Sequence, residues 1–200
     1  MNITILNTFA GNIKSIQNFF DRNFRHSIHV KTYENIKSND DDILIIPGVG
    51  NFGHIGKHIF NYDNGERIKL FAKSGKRIIG ICLGAQFLTE SSEEAPNKKG
   101  LGLIKGNCKS LNKHPEYRGR VPRVGWSGLK SNQYRNYSLY FVHSYYIDVE
   151  ENNYDVKVDY CIDGVTAMIE KNNILAMQFH PEKSHDSGLA IVRNFLERNV

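Results

Sequence analysis

The chain has 200 residues, a formal net charge of +5 and a pI near 9.0, with 40% hydrophobic and 24% charged residues. That length supports one well-buried core and is short for two, so a single domain is expected over residues 1–200, and the average composition excludes a disordered or fibrous chain. Basic residues are interleaved with Asp and Glu throughout, so the surplus charge reads as a mixed solvated surface rather than a nucleic-acid footprint.

In chain order, Ile3-Thr4-Ile5-Leu6 reads as a strand, Ala10-Gly11-Asn12 as a loop, and Ile13, Ile16, Phe20 and Phe24 recur at helical spacing. Ile28-His29-Val30 and Asp42-Ile43-Leu44-Ile45-Ile46 are further strands, the second buried on both faces and running into Pro47-Gly48-Val49-Gly50. A helix over 65–74, stopped by Gly75, precedes the buried strand Arg77-Ile78-Ile79-Gly80-Ile81. Segments 138–146, 154–160, 165–170 and 174–179 read as strands joined by Asn, Asp and Gly turns, and 188–197 as a closing amphipathic helix. Strands alternating with helices, followed by a run of strands, predict an α/β fold with a mainly parallel central sheet, flanking helices and antiparallel additions in the C-terminal half.

Cys82, Cys108 and Cys161 form no CxxC pair and share no metal-ligand spacing with His, which argues against a disulfide framework and a zinc site and fits a reducing cytoplasm. No metal or cofactor is expected. No basic leader precedes the first apolar stretch, and no run approaches the roughly 18 apolar residues of a membrane span, so a cytoplasmic chain without a membrane partner is expected.

Gly80-Ile81-Cys82-Leu83-Gly84 stands where a buried strand turns into a helix, the context of a nucleophile elbow with sulfur in place of hydroxyl. The helix start favours thiolate at Cys82, although a free cysteine is also a common core residue. Near the C-terminus, Gln178-Phe179-His180-Pro181-Glu182-Lys183-Ser184 places a carboxylate two residues after a histidine, so Glu182 can orient His180 as the base a cysteine nucleophile needs for acyl transfer. The Leu83 amide is the default oxyanion donor, and a peptide N–H of the turn at Val49 or Gly50 is the candidate second donor.

These three stretches in this order resemble the class I, triad-type glutamine amidotransferases. Within that family the wider pattern is similar to the glutaminase subunits of imidazole glycerol phosphate synthases: GNIKS at 11–15, PGVGNFG at 47–53, GICLGAQ at 80–86, GLGL at 100–103, YFVHSYY at 140–146 and QFHPEKS at 178–184. The resemblance implies Cys82 as nucleophile, His180 as general base then acid, Glu182 as orienting carboxylate, and a glutaminyl thioester. It implies L-glutamine held by Gly48, Gln86, Glu94, Ser144 and Tyr145; adjacent Glu93 leaves open which of the two acids serves. It also implies a separate barrel-shaped synthase subunit in a heterodimer, faced by Asn12, Arg123, Trp126 and Lys183.

One stretch departs: where the family commonly reads Pro-His-Met-Gly-Trp-Asn, this chain reads Pro122-Arg123-Val124-Gly125-Trp126-Ser127. A paralogous glutaminase supplying ammonia for a surface-polysaccharide sugar is therefore the alternative expectation. Outside this chemistry, a silent regulatory module is disfavoured by the complete triad, and a cysteine peptidase would be revealed by cleavage of unstructured proteins. Nucleic-acid binding would rest only on Arg118-Gly119-Arg120-Val121-Pro122-Arg123, which reads better as a basic loop.

Overall fold

The computed structural model describes residues 2–8, 12–36, 41–63, 65–149 and 155–198. The elements run β1 (Asn2–Leu6), α1 (Ile13–Asn23), β2 (Ser27–Lys31), β3 (Ile43–Ile46), α2 (Phe52–Asp63), α3 (Glu66–Lys73), β4 (Arg77–Ile81), α4 (Leu83–Phe87), β5 (Ser91–Ser92) and β6 (Gly106–Ser110). They continue with β7 (Arg123–Gly128), β8 (Ser138–His143), β9 (Tyr145–Val149), β10 (Lys157–Tyr160), β11 (Thr166–Lys171), β12 (Ile174–Met177) and α5 (His185–Glu197). Seven strands form the main sheet in the order β10-β11-β12-β4-β3-β1-β2. The five from β12 to β2 are parallel, and β11 and β10 extend the sheet antiparallel.

The unbroken apolar runs explain the centre of this sheet. All four side chains of β3 and the last four of β4 are buried, because helices cover both faces of a parallel sheet. On one face Ile16 and Phe20 of α1 pack with Val192 and Phe195 of α5; on the other, Phe52 and Ile55 of α2 pack with Phe71 of α3 and Phe87 of α4. Parallel pairing brings the carboxyl ends of β3, β4 and β12 together, and each continues directly into one motif: the Pro47 turn, Cys82, and the Gln178 stretch.

Three readings of the sequence are corrected. Helix α2 was not anticipated, because Gly53 and Gly56 fall in its first turns and hide its period. The strand expected over 138–146 is two strands, broken at Ser144, whose carbonyl instead accepts from the Leu111 amide at 2.9 Å. These strands do not extend the main sheet: β8 pairs with β7 in a two-stranded ribbon, and β9 joins β6 and β5 in a separate small sheet. Ala10 and Gly11 of the expected loop, and Tyr154 at the start of the strand read over 154–160, lie outside the described residues.

Candidate active site

Cys82 occupies the link between β4 and α4 with φ 53° and ψ −109°, a strained backbone for a residue with a side chain. Both flanking glycines are needed for close approach rather than for their own dihedrals. A Cβ on Gly84 would lie 1.8 Å from the Ile46 carbonyl oxygen, and one on Gly80 would lie 2.8 Å from the Ala85 Cα. The elbow is thus pressed against the end of β3 and against its own helix, and the sulfur is carried to the carboxyl edge of the sheet. Cys82 is 6% exposed, with Sγ 3.7 Å from both the Val142 carbonyl oxygen and Gln178 Nε2.

The other two thiols differ from it. Burial pushes Cys108 up to about 12 and Cys161 up to about 11, so both stay protonated at neutral pH and serve as core residues. Cys82, by contrast, lines a cleft.

His180 follows β12, and its Nδ1–H donates to Glu182 Oε1 at 2.9 Å, with both side chains almost fully buried. Pro181 opens a short 3₁₀ turn, Pro181–Lys183, that brings the carboxylate back beneath the ring. Because Nδ1 carries this hydrogen, Nε2 is the free ring nitrogen; it is buried and makes no hydrogen bond among the described residues. Burial opposes charge on His180, yet the Cys82 thiol and then the Glu182 carboxylate outweigh it and raise its pKa to about 9. Nε2 is thus coupled electrostatically to Cys82 with no hydrogen bond formed between the two.

In front of the sulfur lies a cleft of about 250 Å³ lined by Val49, Gly50, Gln86, Glu94, Ser144 and Tyr145 among others. This size suits an amino acid better than a drug-sized ligand, which takes roughly 300–1,000 Å³. Gln86 ties the elbow helix to the start of β9 and to the segment after β12: its Nε2 donates to the Tyr145 carbonyl at 2.9 Å and to Gln178 Oε1 at 3.0 Å. Glu94 and Glu93 are clearly distinguished. Glu94 lines the cleft, with Oε2 accepting the Phe52 amide at 2.7 Å, whereas Glu93 points away to Lys113 and the Ser110 amide.

The Pro47-Gly48-Val49-Gly50 turn reaches the same cleft, but its hydrogen bonding is unexpected. The Leu83 N–H, the expected oxyanion donor, is directed at the Gly48 carbonyl at 3.3 Å. A carbonyl therefore stands where an acyl oxyanion would need a donor. The two halves of the turn differ: Gly48 is packed so closely that a Cβ would lie 2.8 Å from Ile55 Cδ1 and 2.9 Å from the Gly84 nitrogen, whereas Gly50 holds φ +103° with open space where a Cβ would stand.

Two side chains of the site were not singled out from the sequence. Gln178 is 1% exposed and touches both Gln86 and Cys82; its place in the Gln-Phe-His-Pro-Glu stretch was the available signal. His143 donates Nδ1–H to the Tyr145 carbonyl at 2.8 Å, fixing that tautomer, and burial lowers its pKa to about 3. It enters the cleft wall as a neutral ring.

Of the residues expected at a partner surface, three are exposed around the site. Trp126 is 50% exposed and its ring stacks on His185 (5.3 Å, 7°) and meets Tyr140 edge-on. Lys183 lies over the Tyr140 ring, and Asn12 caps α1 by accepting the Ser15 amide. Arg123 is a correction: it is 8% exposed, paired with Asp163 at 2.9 Å and stacked 4.5 Å from the centre of the Phe141 ring. Strand alternation places it on the inner face of β7, opposite to Val124 and Trp126.

This arrangement, a strained cysteine elbow served by a buried His-Glu pair over an amino-acid-sized cleft, is the equipment for acyl transfer through a thioester. The family profile described as glutamine amidotransferase class-I matches residues 9–199, and the chain belongs to that family. It is 36% identical over 217 residues to the imidazole glycerol phosphate synthase subunit HisH of Helicobacter hepaticus, covering 98% of both chains. It is 37% identical over 207 residues to the subunit of the same name in Sulfurimonas denitrificans, covering 99% of both. A solved structure titled as a glutamine amidotransferase superposes with a TM-score of 0.77 at 21% identity, covering 98% of this chain and 97% of that one, which is a likeness of fold.

Proposed function

We propose that this chain is the glutaminase subunit of an imidazole glycerol phosphate synthase, hydrolysing L-glutamine and passing the ammonia to a separate barrel-shaped synthase subunit in the cytoplasm. The observation that carries this reading is the 36–37% identity, end to end, with subunits bearing that name. In the proposed cycle His180 Nε2 takes the Cys82 proton and the thiolate attacks the glutamine carboxamide carbon. The tetrahedral intermediate collapses to the thioester as His180 returns the proton to the departing ammonia. Water, activated by the same imidazole, then releases glutamate. Glu94 receives the substrate's ammonium group, and Gln86, Ser144 and Tyr145 hold the rest of the molecule.

The oxyanion formed in each half needs donors, and the Leu83 N–H is directed at the Gly48 carbonyl. Rearrangement of the Pro47-Gly48-Val49-Gly50 turn on partner binding would free that N–H and bring the Val49 or Gly50 amide to the same point, so hydrolysis is coupled to assembly. The inward Arg123 supports the same partner reading. The departure from the family's histidine falls on the buried face of β7, while Val124 and Trp126 keep the outer face apolar at 60% and 50% exposure.

The test is glutamine hydrolysis by the purified chain alone and with the same organism's barrel subunit and its nucleotide ligand. Strong stimulation is expected. A folded chain indifferent to that subunit would point instead to the polysaccharide-sugar paralogue and a different synthase.

A further inference from the structure

The basic residues that look scattered in the sequence are partly gathered by the fold. At the amino-terminal end of β4, the opposite end of the sheet from Cys82, a cleft of about 890 Å³ is walled by Arg25, His26, Arg77, Arg193, Glu197 and Arg198. Three separate pieces of chain supply these side chains: the α1–β2 connection, the first residue of β4, and the last turns of α5. Five residues of extended chain separate Arg77 from Cys82, about 17 Å, so the cleft is distinct from the catalytic one.

Its electrostatics are unbalanced. Arg198 pairs with Glu170, and Arg193 lies 3.9 Å from Glu197, but among the described residues neither Arg25 nor Arg77 has a carboxylate partner. Arg77 donates one guanidinium hydrogen to the Arg198 carbonyl, and its Nε is buried with no acceptor. An arginine Nε–H can only donate, so the missing partner is an acceptor. His26 Nδ1, on a ring stacked against Phe24, is also buried without a partner.

We propose that this cleft binds a small phosphate-bearing anion, with Arg25, Arg77 and Arg193 supplying the donors. Guanidinium forks match phosphate oxygens in pairs, and cations arriving from three chain segments suit a diphosphate better than a single carboxylate. The site is concave, and Glu197 in its wall, 71% exposed, opposes a long polyanion laid across the surface, which favours a small ligand over nucleic acid.

The probe is inorganic pyrophosphate, titrated calorimetrically into the full chain at low ionic strength. One-to-one saturable binding that weakens with added salt is expected. The double variant R25Q/R193Q, which alters two solvent-facing side chains, should weaken it at least about tenfold. Glutamine hydrolysis should be unchanged in that variant, because neither residue belongs to the catalytic cleft. No saturable heat at millimolar pyrophosphate, or equal binding by wild type and variant, would overturn the proposal. Tight binding of a structured RNA that pyrophosphate cannot displace would overturn it in favour of a macromolecular ligand.

Discussion

On the His180 side of Cys82 the base is already oriented: the ring is buried, Glu182 holds Nδ1 at 2.9 Å, and Nε2 has no other hydrogen-bond partner among the described residues. On the Pro47-Gly48-Val49-Gly50 side the geometry is the reverse of what acyl transfer requires, because the Leu83 N–H is taken by the Gly48 carbonyl. Buried side chains packed in the core hold the first arrangement; the second is held by a long 3.3 Å hydrogen bond on a turn whose inner half, Gly48, is packed and whose outer half, Gly50, is exposed. Under the proposed function, the base is oriented in the chain as it stands and control lies in the turn, whose Gly48 carbonyl must release the Leu83 N–H.

The comparison can be broken most directly through the sulfur. Cys82→Ala is expected to lower glutamine hydrolysis by at least about 10⁴-fold, with and without a partner, while the circular dichroism spectrum is unchanged. Glu182→Gln should lower it by about 10²- to 10⁴-fold by removing the charge that fixes the His180 tautomer. Retained turnover in either variant would show that the poised side is not the catalytic one.

Stability measurements sharpen the contrast between packed and conformational control. Arg123→Leu leaves Asp163 unpaired at 32% side-chain exposure and removes the Phe141 contact, so a loss of about 2 kcal/mol in urea unfolding is expected. Gly50→Ala meets no neighbouring atom but must hold φ +103°, so about 1–2 kcal/mol of strain is expected. That strain falls on the turn, and the ratio of stimulated to resting hydrolysis should change more than global stability does. An unchanged ratio would remove the turn from the control of the reaction.

The remaining tests are titrations. The folded pKa of His180 is about 9, above the ordinary 6.5, so its contribution to stability is complete below pH 6.5 and is lost as pH rises toward 9. Cys82→Ala removes a leading cause of the upward shift, and the His180 ring should then titrate at lower pH by NMR. His143 works in the opposite sense. Its folded pKa of about 3 lies below the ordinary value, so the unfolded chain takes up the proton first and stability falls as pH drops from 6.5 toward 3.

Much of this was readable in the sequence where physics is local. The Ile and Leu run of β3 and the Ile-rich run of β4 marked both strands, and the spacing of His180 and Glu182 across one proline anticipated their hydrogen bond. What could not be read depends on contacts distant in sequence. Ser144 breaks a continuous apolar segment because β8 and β9 find different partners, and no local propensity encodes that choice. Arg123 looked like a surface cation until Asp163 and Phe141, 40 and 18 residues away, supplied its burial. The direction of the Leu83 N–H is a matter of peptide orientation, to which a glycine-rich sequence is indifferent.

The stacked pair on the outer face of β7 has a further use. Trp126 is the sole tryptophan of the chain, half exposed and lying parallel to the His185 imidazole. The intrinsic fluorescence of this protein therefore comes from one indole, on the surface proposed to meet the synthase. Its emission is a built-in optical gauge: docking should dry the ring and shift the spectrum to the blue, with no label attached.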